Sequence, residues 1–253
     1  MKTSISDNGV YPNFCKIAVS DEMTFKYFRS NDNYTSILEH VKFEEGKVYL
    51  DIASKSNPEL LNNIEKYKTS ENVGNPKTFL YDNIGRVSPT TLRYIKVLSD
   101  LKQNFGDLSG MDIVEIGCGY GGQSKIITDT FNIKSYTLID LPETLELAKK
   151  FLTRVGVDIE NFAFKTMGQL EDRKYDLAIS NYALTECKKD IQTEYLNKVI
   201  LNSKKGYITA NFVNEFFNLD FLAKDEWINS IPSSFVIDEV PKTHKDNIVI
   251  LWK

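Results

Sequence analysis

Hydrophobic and polar positions follow two different patterns along this 253-residue chain, and the change falls near residue 106. Upstream, apolar positions recur mostly at helical spacing. Ser20-Asp21-Glu22 predicts a capped helix through Phe28, with Met23, Tyr27 and Phe28 on one face. Residues 36–40 predict another short helix. Residues 47–52 alternate loosely, as a short strand or a buried loop does. Asn57-Pro58-Glu59 opens a helix that places Leu60, Leu61, Ile64 and Tyr67 at helical spacing. Residues 71–88, ENVGNPKTFLYDNIGRVS, are rich in Gly, Asn and Pro and read as a long ordered loop of a kind that is often functional. Ser88-Pro89 starts a helix through Leu92, Ile95, Val97, Leu98 and Leu101 to Phe105, closed by Gly106.

From Met111 onward, strands and helices alternate. Strands are predicted over residues 113–116, 136–139, 161–166, 175–180 and 206–213, with helices over 121–131, 142–155 and 189–201. A helix over 216–231 follows. The last strands, 235–240 and 247–252, leave no room for a helix between them and so pair antiparallel. The expected fold is α/β, a Rossmann-like seven-stranded sheet with an antiparallel C-terminal hairpin. A mainly helical N-terminal cap precedes it and forms a lid on the acceptor side. The expected division is residues 1–105 for the cap and 106–253 for the sheet domain.

The chemistry concentrates in residues 111–141. Two short strands flank Gly117, Gly119, Gly121 and Gly122, with Glu115 in the first strand and Asp140 closing the second. Glycines let backbone approach a ligand where a Cβ would intrude. A carboxylate about twenty residues past such a turn is placed to hydrogen-bond ribose hydroxyls. A nucleoside-containing cofactor follows from these residues.

Composition narrows the partners. Hydrophobic residues make up 42% of the chain, enough for a substantial core. The net charge of −4 comes with no basic tract, which disfavours nucleic acid. Cys15, Cys118 and Cys187 show no CxxC spacing, as expected of a reducing, cytoplasmic compartment. The N-terminus lacks the apolar run of a secretory signal, and no stretch is apolar enough to predict a membrane span. The oligomeric state stays open, a homo-oligomer included.

GCGYGG fits both the dinucleotide form G-x-G-x-x-G and the form E-x-G-x-G-x-G. Glu115, the long segment before the turn and the terminal hairpin favour the second. On these features residues 106–253 resemble a class I S-adenosylmethionine (SAM) dependent methyltransferase. VEIGCGYGGQ, IDLPET, YDLAISNYALTE and the terminal NIVILWK, with GNPKTF and SPTTLRYIKVLSDLKQNFG upstream, resemble a sugar O-methyltransferase family over residues 72–253. One departure is Cys118, where that pattern has glycine; a small side chain is tolerated there.

The resemblance implies SAM as cofactor and a methyl transfer to a sugar hydroxyl, on a nucleotide-sugar or a glycan precursor. It places Gly117 and Gly119 under the methionine part, with Tyr120 and Gln123 on the rim and Glu115 organising the turn. Asp140 takes the ribose, and Leu141, Met167, Gly168 and Gln169 lie on the adenine side. Asn181 and Tyr182 follow the fourth strand, where the transferred methyl is expected. Glu186 and His244 are the candidate bases, since an alcohol oxygen needs deprotonation. Against these stand plainer readings: Glu186 as a helix start, His244 as a solvated loop histidine. Phe79, Tyr81, Arg86, Arg93 and Tyr94 form an acceptor wall or simply pack the cap on the core. His40 is read as structural. No acidic set has an evident ligand spacing, so a divalent metal is left open. The alternatives are a nicotinamide-dependent oxidoreductase and a methyltransferase with a non-sugar acceptor.

Overall fold

A computed structural model describes residues 4–212 and 220–253. The N-terminal part is helical: α1 (Val10–Ser20), α2 (Glu22–Lys26), α3 (Asp32–Thr35), α4 (Phe43–Ser56) and α5 (Ile64–Tyr67). A small hairpin, β1 (Phe79–Tyr81) and β2 (Gly85–Val87), leads into the long helix α6 (Pro89–Phe105). Ser88 caps α6 by accepting from the Thr91 amide at 3.2 Å, and Gly106 ends it.

Then come β3 (Asp112–Ile116), α7 (Gly122–Thr130), β4 (Ser135–Ile139), α8 (Pro142–Arg154), β5 (Phe162–Lys165) and β6 (Tyr175–Asn181). The chain closes with α9 (Lys189–Lys198), β7 (Ser203–Ala210), α10 (Lys224–Ser230), β8 (Phe235–Asp238) and β9 (Ile248–Trp252). The seven strands of the main sheet run in the order β5-β4-β3-β6-β7-β9-β8. The first five are parallel, and β9 inserts antiparallel between β7 and β8. The strand order reverses between β3 and β6, which opens a crevice beyond their C-terminal ends.

The sheet alternates its apolar residues between two cores. Ile113, Leu177, Ile179, Val249 and Leu251 face a core shared with α6, α7, α8 and the cap helices. Val114, Ile116, Ala178, Ile250 and Trp252 face a second core with α9 and α10. The cap therefore shares its hydrophobic core with the sheet. Its polar anchor is the buried Arg29. This guanidinium donates to Glu39 at 2.7 Å and to the Ser70 carbonyl at 2.7 Å, lies 3.8 Å from Glu71 and covers the Tyr120 ring at 4.8 Å.

Several local expectations are corrected. Residues 47–52 lie inside α4, whose buried Gly46, Tyr49 and Ala53 follow helical spacing. The helix expected over 36–40 lies earlier, at α3. The loop over 71–88 contains the β1–β2 hairpin. α1 was not expected at all. The helix expected over 216–231 is α10 alone among the described residues; residues 213–219, with the end of the strand expected at 206–213, lie outside them. No described helix is long and apolar enough to cross a membrane.

Candidate active site

The site is built where β3, β4 and β6 end. After β3 the backbone turns through Gly117, at φ +76°, whose amide donates to the Ile139 carbonyl at 2.8 Å. A Cβ on Gly117 would lie 2.0 Å from that of Ala183, so only glycine fits. Gly119, at φ +53°, donates its amide to Asp140 at 2.9 Å, and the Leu141 amide donates to the other Asp140 oxygen at 2.8 Å. Burial nonetheless pushes the Asp140 carboxyl up to about 6.

Two adjoining cavities open over this turn and share Ser6, Gly117, Asp140 and Ala183. The first, about 390 Å³, is lined by Gly119, Asn181, Tyr182, Glu186, Arg93 and His244, among others. The second, about 270 Å³, is bordered by Leu141, Met167, Gly168, Cys187 and Ile191 and is largely apolar. Together they form a two-lobed cleft. An apolar lobe, the Asp140 carboxylate and the bare backbone of Gly117 and Gly119 thus lie side by side along it.

Tyr182 begins the connection after β6 with a positive φ of +68°, which a tyrosine rarely adopts. Its amide donates to the Thr209 carbonyl at 2.8 Å, and its hydroxyl donates to the buried Glu239. The other Glu239 oxygen accepts from the Thr243 amide at 2.9 Å, the Thr243 hydroxyl at 2.8 Å and Asn247 Nδ2 at 3.0 Å. These bonds pin the β8–β9 turn, which carries His244 to the cavity. Across from it, Glu186 accepts from Asn211 Nδ2 at 2.7 Å, and burial raises its pKa. Among the described residues no group of His, Cys, Asp and Glu is arranged to hold a metal ion.

Several expected site residues lie elsewhere. Tyr120 and Gln123 are not on the rim. Tyr120 is fully buried, 4.7 Å from the Phe151 ring, and Gln123 donates to the Tyr94 carbonyl at 3.2 Å beneath the turn. Glu115 faces the core, where Tyr136 donates to it at 2.7 Å and burial pushes its carboxyl up to about 8. Gln169 caps its own turn through the Thr166 amide. Tyr94 packs under the turn, 6.1 Å from the Tyr120 ring. Phe79 lines a separate groove, Tyr81 is buried with its hydroxyl donating to the Phe43 carbonyl, and Arg86 is exposed beside the Thr78 carbonyl.

The cavity also holds residues that the sequence did not mark. Ser6 and Tyr11 come from the N-terminus, Tyr49 from α4 and Asn247 from β9's start. His40, read as structural, lines the same cavity, and burial beside Arg93 lowers its pKa. The Ile5 amide donates to the Glu186 carbonyl at 3.2 Å, and Ser4 bridges to Cys187, so the N-terminal segment walls the cleft. No local signal connects these residues to the turn, because the tertiary fold brings them there.

Residues 114–199 match a family model described as a methyltransferase domain. The ubiquinone biosynthesis O-methyltransferase of Rickettsia bellii is 26% identical over 188 residues, covering 73% of this chain and 73% of that protein. The Rickettsia prowazekii protein of the same name is 27% identical over 187 residues, covering 72% and 69%. A solved SAM-dependent methyltransferase from Clostridium acetobutylicum is 13% identical, covers 61% of this chain and 87% of its own, and has a TM-score of 0.48. The matched domain favours a methyltransferase over the nicotinamide alternative. With the observed sheet and the cleft over its glycine turn, the matched domain and these relatives make the chain a SAM-dependent methyltransferase.

Proposed function

We propose that this methyltransferase acts on a hydroxyl oxygen of a small-molecule acceptor. The observation that carries the reading is that both candidate bases, Glu186 and His244, line the cavity that starts at the glycine turn. A protonated hydroxyl is a poor nucleophile, so an oxygen acceptor needs a base at the reacting end. Bound SAM supplies an electrophilic methyl group; the protein's part is to hold, orient and deprotonate. Gly117 and Gly119 give room to the methionine end, and Asp140 accepts from the ribose hydroxyls. Leu141, Met167 and Gly168 border the adenine, while Asn181 and Tyr182 face the methyl-bearing end. Burial makes Glu186 a stronger base than an exposed carboxylate, and Asn211 orients it.

For the acceptor, the Rickettsia relatives are named for ubiquinone biosynthesis, which supports transfer to oxygen and a non-sugar acceptor. The sugar reading rests on the motif resemblance. It is weakened because Phe79, Tyr81 and Arg86, the ring-stacking and phosphate-binding candidates, lie away from the cavity. We further read residues 1–105 as the cap, 106–253 as the methyltransferase unit and the cell compartment as cytoplasmic. Glu186→Gln and His244→Ala should each lower kcat by roughly 10²–10⁴-fold with S-adenosylhomocysteine affinity kept. Near-full activity in both variants would remove the two residues from the reaction.

A further inference from the structure

Arg93 is half-buried and differs from Arg29, the buried guanidinium of the cap. Arg29 is answered by Glu39 and Glu71. Arg93, on α6, lies 5.6 Å from the centre of the Tyr94 ring and 5.8 Å from that of Tyr182. The groups that face it are the phenols of Tyr94, Tyr182 and Tyr49, and among the described residues it forms no ion pair with a carboxylate. The nearby acids are committed elsewhere. Asp140 takes two backbone amides, Glu186 takes Asn211, and Glu45 takes the Lys42 amide at 2.7 Å. Glu239 takes Tyr182, Thr243 and Asn247, and Lys96 next along the helix is answered by Asp100 at 2.6 Å.

A guanidinium partly withdrawn from water, with no carboxylate beside it, is stabilised when a ligand brings the anion. Its planar fork suits carboxylate and phosphate oxygens, and flanking aromatic faces hold it in place. His40 adds a second nitrogen donor on the same cavity wall. We propose that Arg93 is an oxyanion subsite of the cavity, taking a carboxylate or phosphate group of a bound ligand. The inference rests on the SAM reading of the cleft. Two sources carry that chemistry: the amino-acid carboxylate of the cofactor, and an anionic group on the acceptor.

Calorimetry on the full chain and its Arg93→Met and Arg93→Lys variants separates them. S-adenosylhomocysteine and 5′-methylthioadenosine share the nucleoside and sulfur, but only the first carries the carboxylate. If the cofactor's tail occupies the subsite, Arg93→Met binds S-adenosylhomocysteine about tenfold or more weakly and 5′-methylthioadenosine as before. If the acceptor's anion occupies it, both nucleosides bind as before. Inorganic phosphate, titrated into the S-adenosylhomocysteine complex, then loses about tenfold or more. Arg93→Lys, which keeps the charge and loses the fork, falls between. Unchanged 5′-methylthioadenosine affinity shows that a variant is folded. Equal affinities of all three proteins for every probe overturn the subsite and leave the methyltransferase reading intact; a wild type that binds neither nucleoside overturns both.

Discussion

At the residue scale, a buried acid behind the glycine turn ties stability to pH. Glu115 has its carboxyl pushed from an ordinary 4.5 up to about 8, chiefly by burial. Folding therefore favours its protonated form. Between those two values the native state binds a proton that the unfolded chain has released, so stability falls as pH rises through the window. The penalty is absent below the lower value and complete above the upper one. Glu115→Gln keeps an oxygen to accept from Tyr136 and removes the charge. Thermal melts across the window should show the variant gaining on the wild type as pH rises, with a gap on the order of 3 °C or more near the top. A gap that does not change with pH would contradict the assignment. The residues legible in the sequence were those fixed by local geometry: Gly117, Gly119 and Asp140 follow from a strand, a turn and a strand. Glu115, Tyr120 and Gln123 turn inward because Tyr136, Phe28, Phe151 and the Tyr94 carbonyl recruit them. Those partners lie far off in sequence, so spacing carried no sign of them.

At the element scale, the βα alternation could be read because each buried strand is a short apolar run between turn signals. The cap was harder. α1 carries a buried stripe at Tyr11, Phe14, Cys15 and Ala18, yet Pro12 in its first turn obscures the pattern, though proline is tolerated there. The β1–β2 hairpin hides in a stretch rich in turn residues. The glycine turn gives the clearest test of an element. Gly117→Ala places a Cβ against Ala183 at 2.0 Å, where the two connections after β3 and β6 meet. S-adenosylhomocysteine affinity should drop roughly 10–100-fold. Gly119→Ala meets only the movable end of Leu38, at 2.6 Å, and should lose less. Calorimetry on both variants checks the order; equal losses would mean that the Ala183 contact does not shape the cleft.

At the scale of the whole molecule, the cap and the sheet are joined by one core, and the cleft lies where they meet. The N-terminal segment completes it, since Ser4 bridges to Cys187 and Ser6 lines both lobes. Asn8 still caps α1 by accepting from the Val10 and Tyr11 amides, so a chain lacking residues 1–7 should keep its melting temperature nearly unchanged. Its affinity for S-adenosylhomocysteine should fall by roughly tenfold. An unchanged affinity would separate the segment from the site. Methyl transfer from SAM to a hydroxyl oxygen is the reaction on which every proposed role depends. Its most direct test incubates the protein with SAM and matched acceptors, a catechol carboxylate, the corresponding catechol and a nucleotide-sugar, and reads the products by mass spectrometry. The expected result is one methyl group on an acceptor oxygen with equimolar S-adenosylhomocysteine, foremost on a non-sugar acceptor and lost in Glu186→Gln. Methylation of nitrogen or carbon, or a product whose yield ignores both Glu186→Gln and His244→Ala, would contradict it.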